Sequence, residues 1–346
     1  MSRKIIALLL AALLCVCALT GCAGKQEKPA EDAVPAEETA PAGDTAPEPA
    51  ETPEEPETET PAEESPEEPA AAVTVTDMTG REITLEEPAT RVVALSAADC
   101  EVLCALGCGD TLVGRGEYCN WPEEILGVPV VQSGTDTNIE QIIALKPQVL
   151  LMSTMAQTEE QVKALEDAGI RVVVSDAMDI EGIYTSVGII GTLMGKEAEA
   201  AEIVDGMKTA FADLKAKADA YEGEQMSVYF EISPLEWGLW TAGTGTFYNE
   251  IAEMLNLKNV FDDVSYYGEI SEEQVIERKP DAIVTISMYY GEGPTPVEEI
   301  LSRPGWDVIP AVANEKILNL QNDELSRPAP RLAEGAQMLY DFMYGE

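Results

Sequence analysis

The sequence holds no histidine in 346 residues, and only 21 lysines and arginines stand against 64 aspartates and glutamates. Without imidazole there is no Ser-His-Asp or Cys-His pair, no nitrogen ligand for zinc, and no side chain whose ordinary pKa lies near neutrality. At a formal net charge of -43 the chain repels a phosphate backbone, because nucleic-acid binding depends on clustered lysine and arginine that release counterions. Nucleic acid is not expected as a partner. Aromatic residues are also few, 6% of the chain with 4 Trp and 5 Phe, whereas the hydrophobic fraction of 45% suffices for the cores of two ordinary domains. No G-x-G-x-x-G or P-loop is present, and Gly243-Thr244-Gly245-Thr246 reads as a helix entry. The chain is expected not to be an enzyme and to have no catalytic residues, resident cofactor or resident metal.

Long apolar runs are scarce too. The one at the N-terminus extends from Ile5 to Leu19 behind Arg3 and Lys4, 15 residues where a helix crossing the bilayer needs roughly 20. It reads as an export signal, residues 1–22, and no later run is long enough to span. Leu19-Thr20-Gly21-Cys22 resembles the lipobox of bacterial lipoproteins, which implies acylation of Cys22; the alternative is ordinary secretion with Cys22 an incidental thiol. Several acyl chains on Cys22 would then hold the protein to the cell membrane, since more than one chain is needed for stable attachment. Residues 25–69 carry 10 of the 22 prolines and 16 acids against 2 lysines, so segment 23–72 reads as a disordered tether, extended by proline and by charge repulsion. At roughly 3 Å per residue it reaches on the order of 100 Å. The remaining residues 70–346 carry a net charge of -31, with 17 basic residues.

From residue 73 onward the pattern is α/β. A hairpin at 73–85 is followed by strands at 91–96, 111–116, 148–153 and 171–176, alternating with helices at 97–107, 138–145, 158–168 and 180–194. Strands separated by helical segments imply parallel sheets with helices on their faces. Residues 196–221 are rich in Ala, Glu and Lys, with Ile203, Met207, Phe211 and Leu214 at helical spacing, and predict an unbroken helix about 39 Å long. The alternation then resumes, with strands at 227–233, 281–287 and 316–320 and helices at 246–255, 271–278, 296–301 and 331–344. The expectation is two α/β lobes, 73–195 and 222–346, joined by a backbone helix at 196–221. An internal echo supports it: Glu140 to Pro147 and Glu273 to Pro280 share E-Q-[IV]-I-x-x-K-P, and each leads into an apolar strand. A capping residue, Asn138 or Ser271, puts the glutamate in the first helical turn, where its charge suits the dipole.

Signal, lipobox, tether and two lobes on one long helix resemble the substrate-binding lipoproteins of ABC importers that take iron complexes and vitamin B12, the helical-backbone class III receptors. Several segments carry the resemblance: Asp77-Met-Thr-Gly-Arg81, Arg91-Val-Val-Ala-Leu-Ser96, Gly116-Glu-Tyr-Cys-Asn-Trp-Pro122, residues 138–147, Trp240-Thr-Ala-Gly-Thr-Gly-Thr-Phe247 and Arg327-Pro-Ala-Pro-Arg-Leu332. It implies a monomer with its ligand in the cleft between rigid lobes, working with permease and ATPase subunits outside the cytoplasm. It also implies that Glu140 and Glu273, one acid on each lobe, engage arginines of the permease.

Open α/β sheets place ligands beyond their strand ends. The expected cleft residues are Tyr118, Asn120 and Trp121 on the first lobe, with Trp237, Trp240, Tyr267, Tyr289, Tyr290 and Asn322 to Glu324 on the second. Aromatic faces suit a large, partly apolar ligand. The absence of histidine disfavours a bare transition metal, although carboxylates alone bind hard cations. Haem or a ferric catecholate needs arginines, for which Arg115, Arg303 and Arg327 are the loop candidates. Tyr118 and Tyr267 fall where B12 binders of this family place aromatics, although Gly134-Thr135 stands where another ring is expected. A corrinoid is the favoured ligand and a ferric siderophore the second; a bare divalent metal or haem receptor, and a non-transport surface scaffold or an enzyme, are the alternatives.

Seven cysteines are present, and Cys15, Cys17 and Cys22 belong to the leader. Cys100, Cys104 and Cys108 recur every four residues along one helix stripe, a buried small-residue face. A disulfide between Cys100 and Cys119, or free thiols in a reducing habitat, are both compatible with the sequence.

Overall fold

The computed structural model describes residues 72–345, apart from 155–157 and 322. The export signal, Cys22, the tether up to residue 71 and Asn322 lie outside the described residues. Strands β1 (Val73–Thr76) and β2 (Glu82–Leu85) pair antiparallel, and their alternation buries Val73, Val75, Ile83 and Leu85. The turn between them is closed by Asp77, whose Oδ1 accepts from the amides of Thr79 and Arg81 at 2.9 and 3.0 Å.

The first lobe continues with β3 (Val92–Ala94), α1 (Ala97–Ala105), β4 (Leu112–Gly116), β5 (Val130–Val131), α2 (Ile139–Leu145), β6 (Val149–Met152), α3 (Glu159–Asp167), β7 (Arg171–Val174) and α4 (Ile180–Leu193). Its sheet runs β5-β4-β3-β6-β7 and is parallel throughout. Helix α5 (Glu197–Asp219) follows, 23 residues and about 34 Å long. It starts one residue later and ends two earlier than the sequence predicts.

The second lobe comprises β8 (Ser227–Ser233), β9 (Trp240–Ala242), α6 (Phe247–Met254), β10 (Lys258–Asn259), β11 (Tyr267–Glu269), α7 (Glu272–Arg278), β12 (Ala282–Thr285), α8 (Pro296–Ser302), α9 (Pro310–Ala313), β13 (Ile317–Asn319) and α10 (Leu332–Tyr344). Its sheet runs β11-β9-β8-β12-β13, with β10 also on β8. The expectation of parallel sheets holds for β10, β8, β12 and β13 but not for the other edge, where β9 is antiparallel to both β8 and β11. The reason is the short return after β8: about six residues suffice for a hairpin but not for a parallel crossover.

Period-two alternation sorts each sheet into two faces. Val92, Ala94, Val149 and Leu151 join Phe230, Ala282 and Val284 of the other sheet in one core, through Met207, Phe211 and Leu214 of α5. The opposite faces have separate cores, with Val93, Leu150 and Val172 in one and Tyr229, Ile283 and Trp306 in the other. Both lobes thus share one packed body, each large buried side chain contributing about 1.5–3 kcal/mol. Helices α4 and α5 approach so closely at Gly191 that a Cβ there would lie 2.4 Å from that of Ala200. Between the lobes, the Phe247 amide donates to the Met178 carbonyl at 2.9 Å, and the Ile180 amide to Glu250 Oε2 at 2.8 Å.

Candidate functional site

A cavity of about 720 Å³ opens beyond the C-terminal ends of β8 and β12 in the second lobe. Trp237, Met288, Tyr289 and Tyr290 line it together with Pro234, Leu235, Pro294 and Pro296. Local sequence sets these rings out from the sheet. Pro234 leads β8 into a 3-10 turn, Leu235–Trp237, and Gly238 leaves it at φ 88, a left-handed angle that only glycine adopts without strain. After β12, Gly291 and Gly293 also take positive φ, and the Tyr289 hydroxyl donates to the Gly293 carbonyl at 3.4 Å. Trp237 and Tyr290 remain 75% and 79% exposed, so they hold apolar surface in water that none of the described residues covers. Among the described residues the charged lining groups are Glu236, Glu292 and Glu299, with no lysine or arginine.

Of the expected cleft residues, the structure thus brings Trp237, Tyr289 and Tyr290 together. Trp240 and Tyr267 lie on the neighbouring strands β9 and β11, in register with Glu269 and Ala242. Tyr267 is half-buried, and burial, with a smaller contribution from the charge of Asp176, pushes its hydroxyl up to about 12. Tyr118, in the loop after β4, is 70% exposed.

Asn120 and Trp121 have partners already. Arg327 donates to Asn120 Oδ1 at 2.6 Å, and the Arg331 guanidinium stacks over the Trp121 ring at 4.4 Å. Both arginines converge on Glu101 of α1, with Arg327 Nη1 at 2.8 Å and Arg331 Nη2 at 2.9 Å from its Oε1, and Arg331 Nε at 3.0 Å from Oε2. Arg331 also reaches Asp323 at 2.8 Å and Glu324 at 3.3 Å. This is a buried ion latch between the lobes, formed by residues 226 and 230 apart in sequence. A smaller cavity of about 250 Å³ lies against it, lined by Glu101, Cys104, Trp121 and Arg331 among others. Sequence reading missed the latch. Its only trace was Arg327-Pro-Ala-Pro-Arg331, two arginines four apart in a loop, and nothing marked Glu101 as their partner.

The three arginines proposed to meet an anionic ligand are all committed within the protein. Arg115 lies on β4 rather than in a loop and donates to the carbonyls of Cys119, Ile125 and Leu126 at 2.7, 3.1 and 3.2 Å. Arg303 forks onto Glu231 at 2.6 and 3.0 Å, bonds Glu299 at 2.6 Å, and stacks on Trp306. Arg327 belongs to the latch. A further buried acid, Asp99 in the first turn of α1, accepts from the Ser175 hydroxyl at 2.5 Å while its Oδ2 has no partner. Burial, against the Ser175 hydrogen bond, pushes its carboxyl up to about 7.

Glu140 and Glu273 are both exposed in the first turns of α2 and α7. The Asn138 side chain caps α2 by accepting from the Gln141 amide, and Ser271 with Gln274 forms a capping box on α7. Each helix has seven residues and ends in a lysine at positive φ, Lys146 at 51° and Lys279 at 47°, before the proline that opens the strand. The sequence echo is therefore one local structure used twice. Backbone and Ser271 hydrogen bonds hold the Glu273 carboxyl below its ordinary range, so it is charged at neutral pH.

The model of a family described as periplasmic binding protein matches residues 92–324. A protein of Bacillus subtilis (strain 168) described as the uncharacterized ABC transporter substrate-binding lipoprotein YvrC is 33% identical over 276 residues, 79% of this chain and 85% of that protein. A vitamin B12-binding protein of Salmonella choleraesuis (strain SC-B67) is 27% identical over 261 residues, 72% of this chain and 89% of its own. Among solved structures, a possible iron-binding (periplasmic solute-binding) protein of Staphylococcus epidermidis superposes with a TM-score of 0.62 at 31% identity, covering 75% of this chain and all of that one.

Proposed function

The chain belongs to the periplasmic binding protein family, and from that premise we propose that it captures a metal chelate between its lobes and delivers it to an ABC import permease. A corrinoid is the favoured ligand. The observation that carries this reading is the cavity of about 720 Å³ with exposed Trp237 and Tyr290 and no basic side chain in its lining. Flat rings with apolar faces complement a partly apolar macrocycle, and a pocket of this size is typical of small-molecule sites. Haem and ferric catecholates carry negative charge that the lining acids repel, and Arg115, Arg303 and Arg327 are each occupied by internal partners. A neutral ferric hydroxamate meets the same conditions and is the second reading, favoured by the similar Staphylococcus protein described as possible iron-binding. Tyr118, Trp240 and Tyr267, which do not line that cavity, are proposed as further ligand contacts.

The export signal with Cys22 fits a lipid-anchored protein outside the cytoplasm, and the relative described as a lipoprotein supports that reading. Glu140 and Glu273, exposed on equivalent helices, are the proposed contacts for permease arginines, where charge pairs set register and association rate. Reversing both to Lys is expected to abolish uptake in cells while purified protein binds its ligand as before; uptake surviving the double change refutes the docking role. The ligand is tested by titrating purified protein with cobalamin and with a ferric hydroxamate while following tryptophan emission. The corrinoid reading predicts a saturable response to cobalamin at micromolar concentration or below. A response to the hydroxamate alone would transfer the assignment to siderophores.

A further inference from the structure

Cys100 on α1 and Cys119 in the loop after β4 are fully buried and point their thiols at one acceptor, the Ala94 carbonyl oxygen, at 3.8 Å each. The nearness of Cys119, with burial, raises the Cys100 thiol well above the ordinary range. The position of Cys119 is fixed from several sides. Its amide donates to the Gly116 carbonyl at 3.2 Å, and its own carbonyl accepts from Arg115 Nη1 at 2.7 Å. At Gly116 a Cβ would stand 2.3 Å from the Leu95 oxygen and 3.3 Å from the Cys119 sulfur, so glycine is what lets the thiol reach α1. The other two cysteines of the stripe are placed differently: the Cys108 thiol turns to the Leu106 carbonyl, and Cys104 borders the small cavity beside Trp121.

We propose that Cys100 and Cys119, free thiols in this structure, close into a disulfide as the exported chain folds, and that the bond staples the loop carrying Tyr118, Asn120 and Trp121 onto α1. The proposal rests on the reading that this protein works outside the cytoplasm, where disulfides persist. The oxidant is a disulfide-bearing thiol oxidase or a small-molecule disulfide. One cysteine thiolate attacks it and forms a mixed disulfide, and the second cysteine then displaces the oxidant's remaining sulfur. Two S–H bonds are lost and one S–S bond forms, while the two electrons and two protons leave with the oxidant as thiols. Exchange takes place before the lobe is complete, because the finished fold seals both sulfurs from solvent. The same burial then protects the bond from reductants.

The test uses the full chain exported by a host with an oxidising envelope. Protein is denatured without reductant, alkylated, then reduced, alkylated with a second reagent and digested. The bond predicts that Cys100 and Cys119 carry only the second label while Cys104 and Cys108 carry the first. Cys100 and Cys119 bearing the first label in exported protein, or a bridge joining any other pair, overturns the proposal and leaves the transport reading standing. Protease added outside the cells is used to check export in the same sample, and a chain retained in the cytoplasm overturns the premise on which the bond rests. As a second measurement, oxidised wild type is expected to melt on the order of 5 °C or more above reduced wild type, with C119S insensitive to reductant. Equal melting of the two wild-type forms contradicts the stapling role.

Discussion

The two lobes begin from the same unit and end in different chemistry. In each, a seven-residue helix with an acidic first turn closes on a left-handed lysine and a proline before a central strand. Beyond that unit they diverge. The first lobe meets its neighbour through a buried latch, Glu101 with Arg327 and Arg331, which occupies Asn120 and Trp121. The second lobe has its own buried pair, Glu231 with Arg303, and leaves Trp237, Tyr289 and Tyr290 open around a cavity. Aromatic residues in these loops are therefore used in two ways: Trp121 stacks on an arginine of the latch, and Trp237 and Tyr290 stay exposed beside a cavity.

Removing the latch charge is expected to have the largest effect. Glu101→Gln leaves two nearly buried guanidinium groups short of their partner, a loss of about 3–5 kcal/mol, and melting should fall by on the order of 10 °C. Glu231→Gln should cost a similar amount, but within one lobe, so only Glu101→Gln is expected to alter lobe closure in small-angle scattering. A Glu101→Gln protein that melts like wild type would remove the distinction between the lobes.

Next is the contrast between the rings. Trp237→Ala should weaken ligand binding about 10- to 100-fold, as a central aromatic contact does, with little change in melting because the ring is already exposed. Trp121→Ala should do the reverse, lowering the melting point through the lost Arg331 stack and changing affinity less. Calorimetric titration and thermal melts of both variants check this pair.

The smallest effect concerns pH. The Asp99 carboxyl titrates near 7 in the folded protein, above its unfolded value, so the native state holds the extra proton. Its contribution to stability is therefore complete below about pH 4 and is lost as pH rises toward 7. Asp99→Asn should accordingly raise the melting point by a few degrees at pH 8 and by less at pH 5; an equal change at both values would assign the effect to packing.

Much of this comparison was legible in the sequence because it is local. The helix stop and strand start of Lys146-Pro147 and Lys279-Pro280 are written within a few residues, and the apolar spacing of α5 is visible within one window. Strands β5, β9, β10 and β11 were not legible: each has two or three residues, too few for a period, and partners on the sheet decide their conformation. The latch was invisible for another reason, since its charges lie more than two hundred residues apart and no spacing rule connects them. The same distance explains why Arg327 read as a ligand contact, when a buried carboxylate on the other lobe already engages it.

The central claim is that the open rings of the second lobe receive a corrinoid, and fluorescence titration of wild type and Trp237→Ala with cobalamin tests it most directly. The account predicts saturable quenching in wild type at micromolar concentration or below, and an affinity weaker by at least about tenfold in the variant. Equal affinities in the two proteins, or no response of wild type to cobalamin, would contradict it.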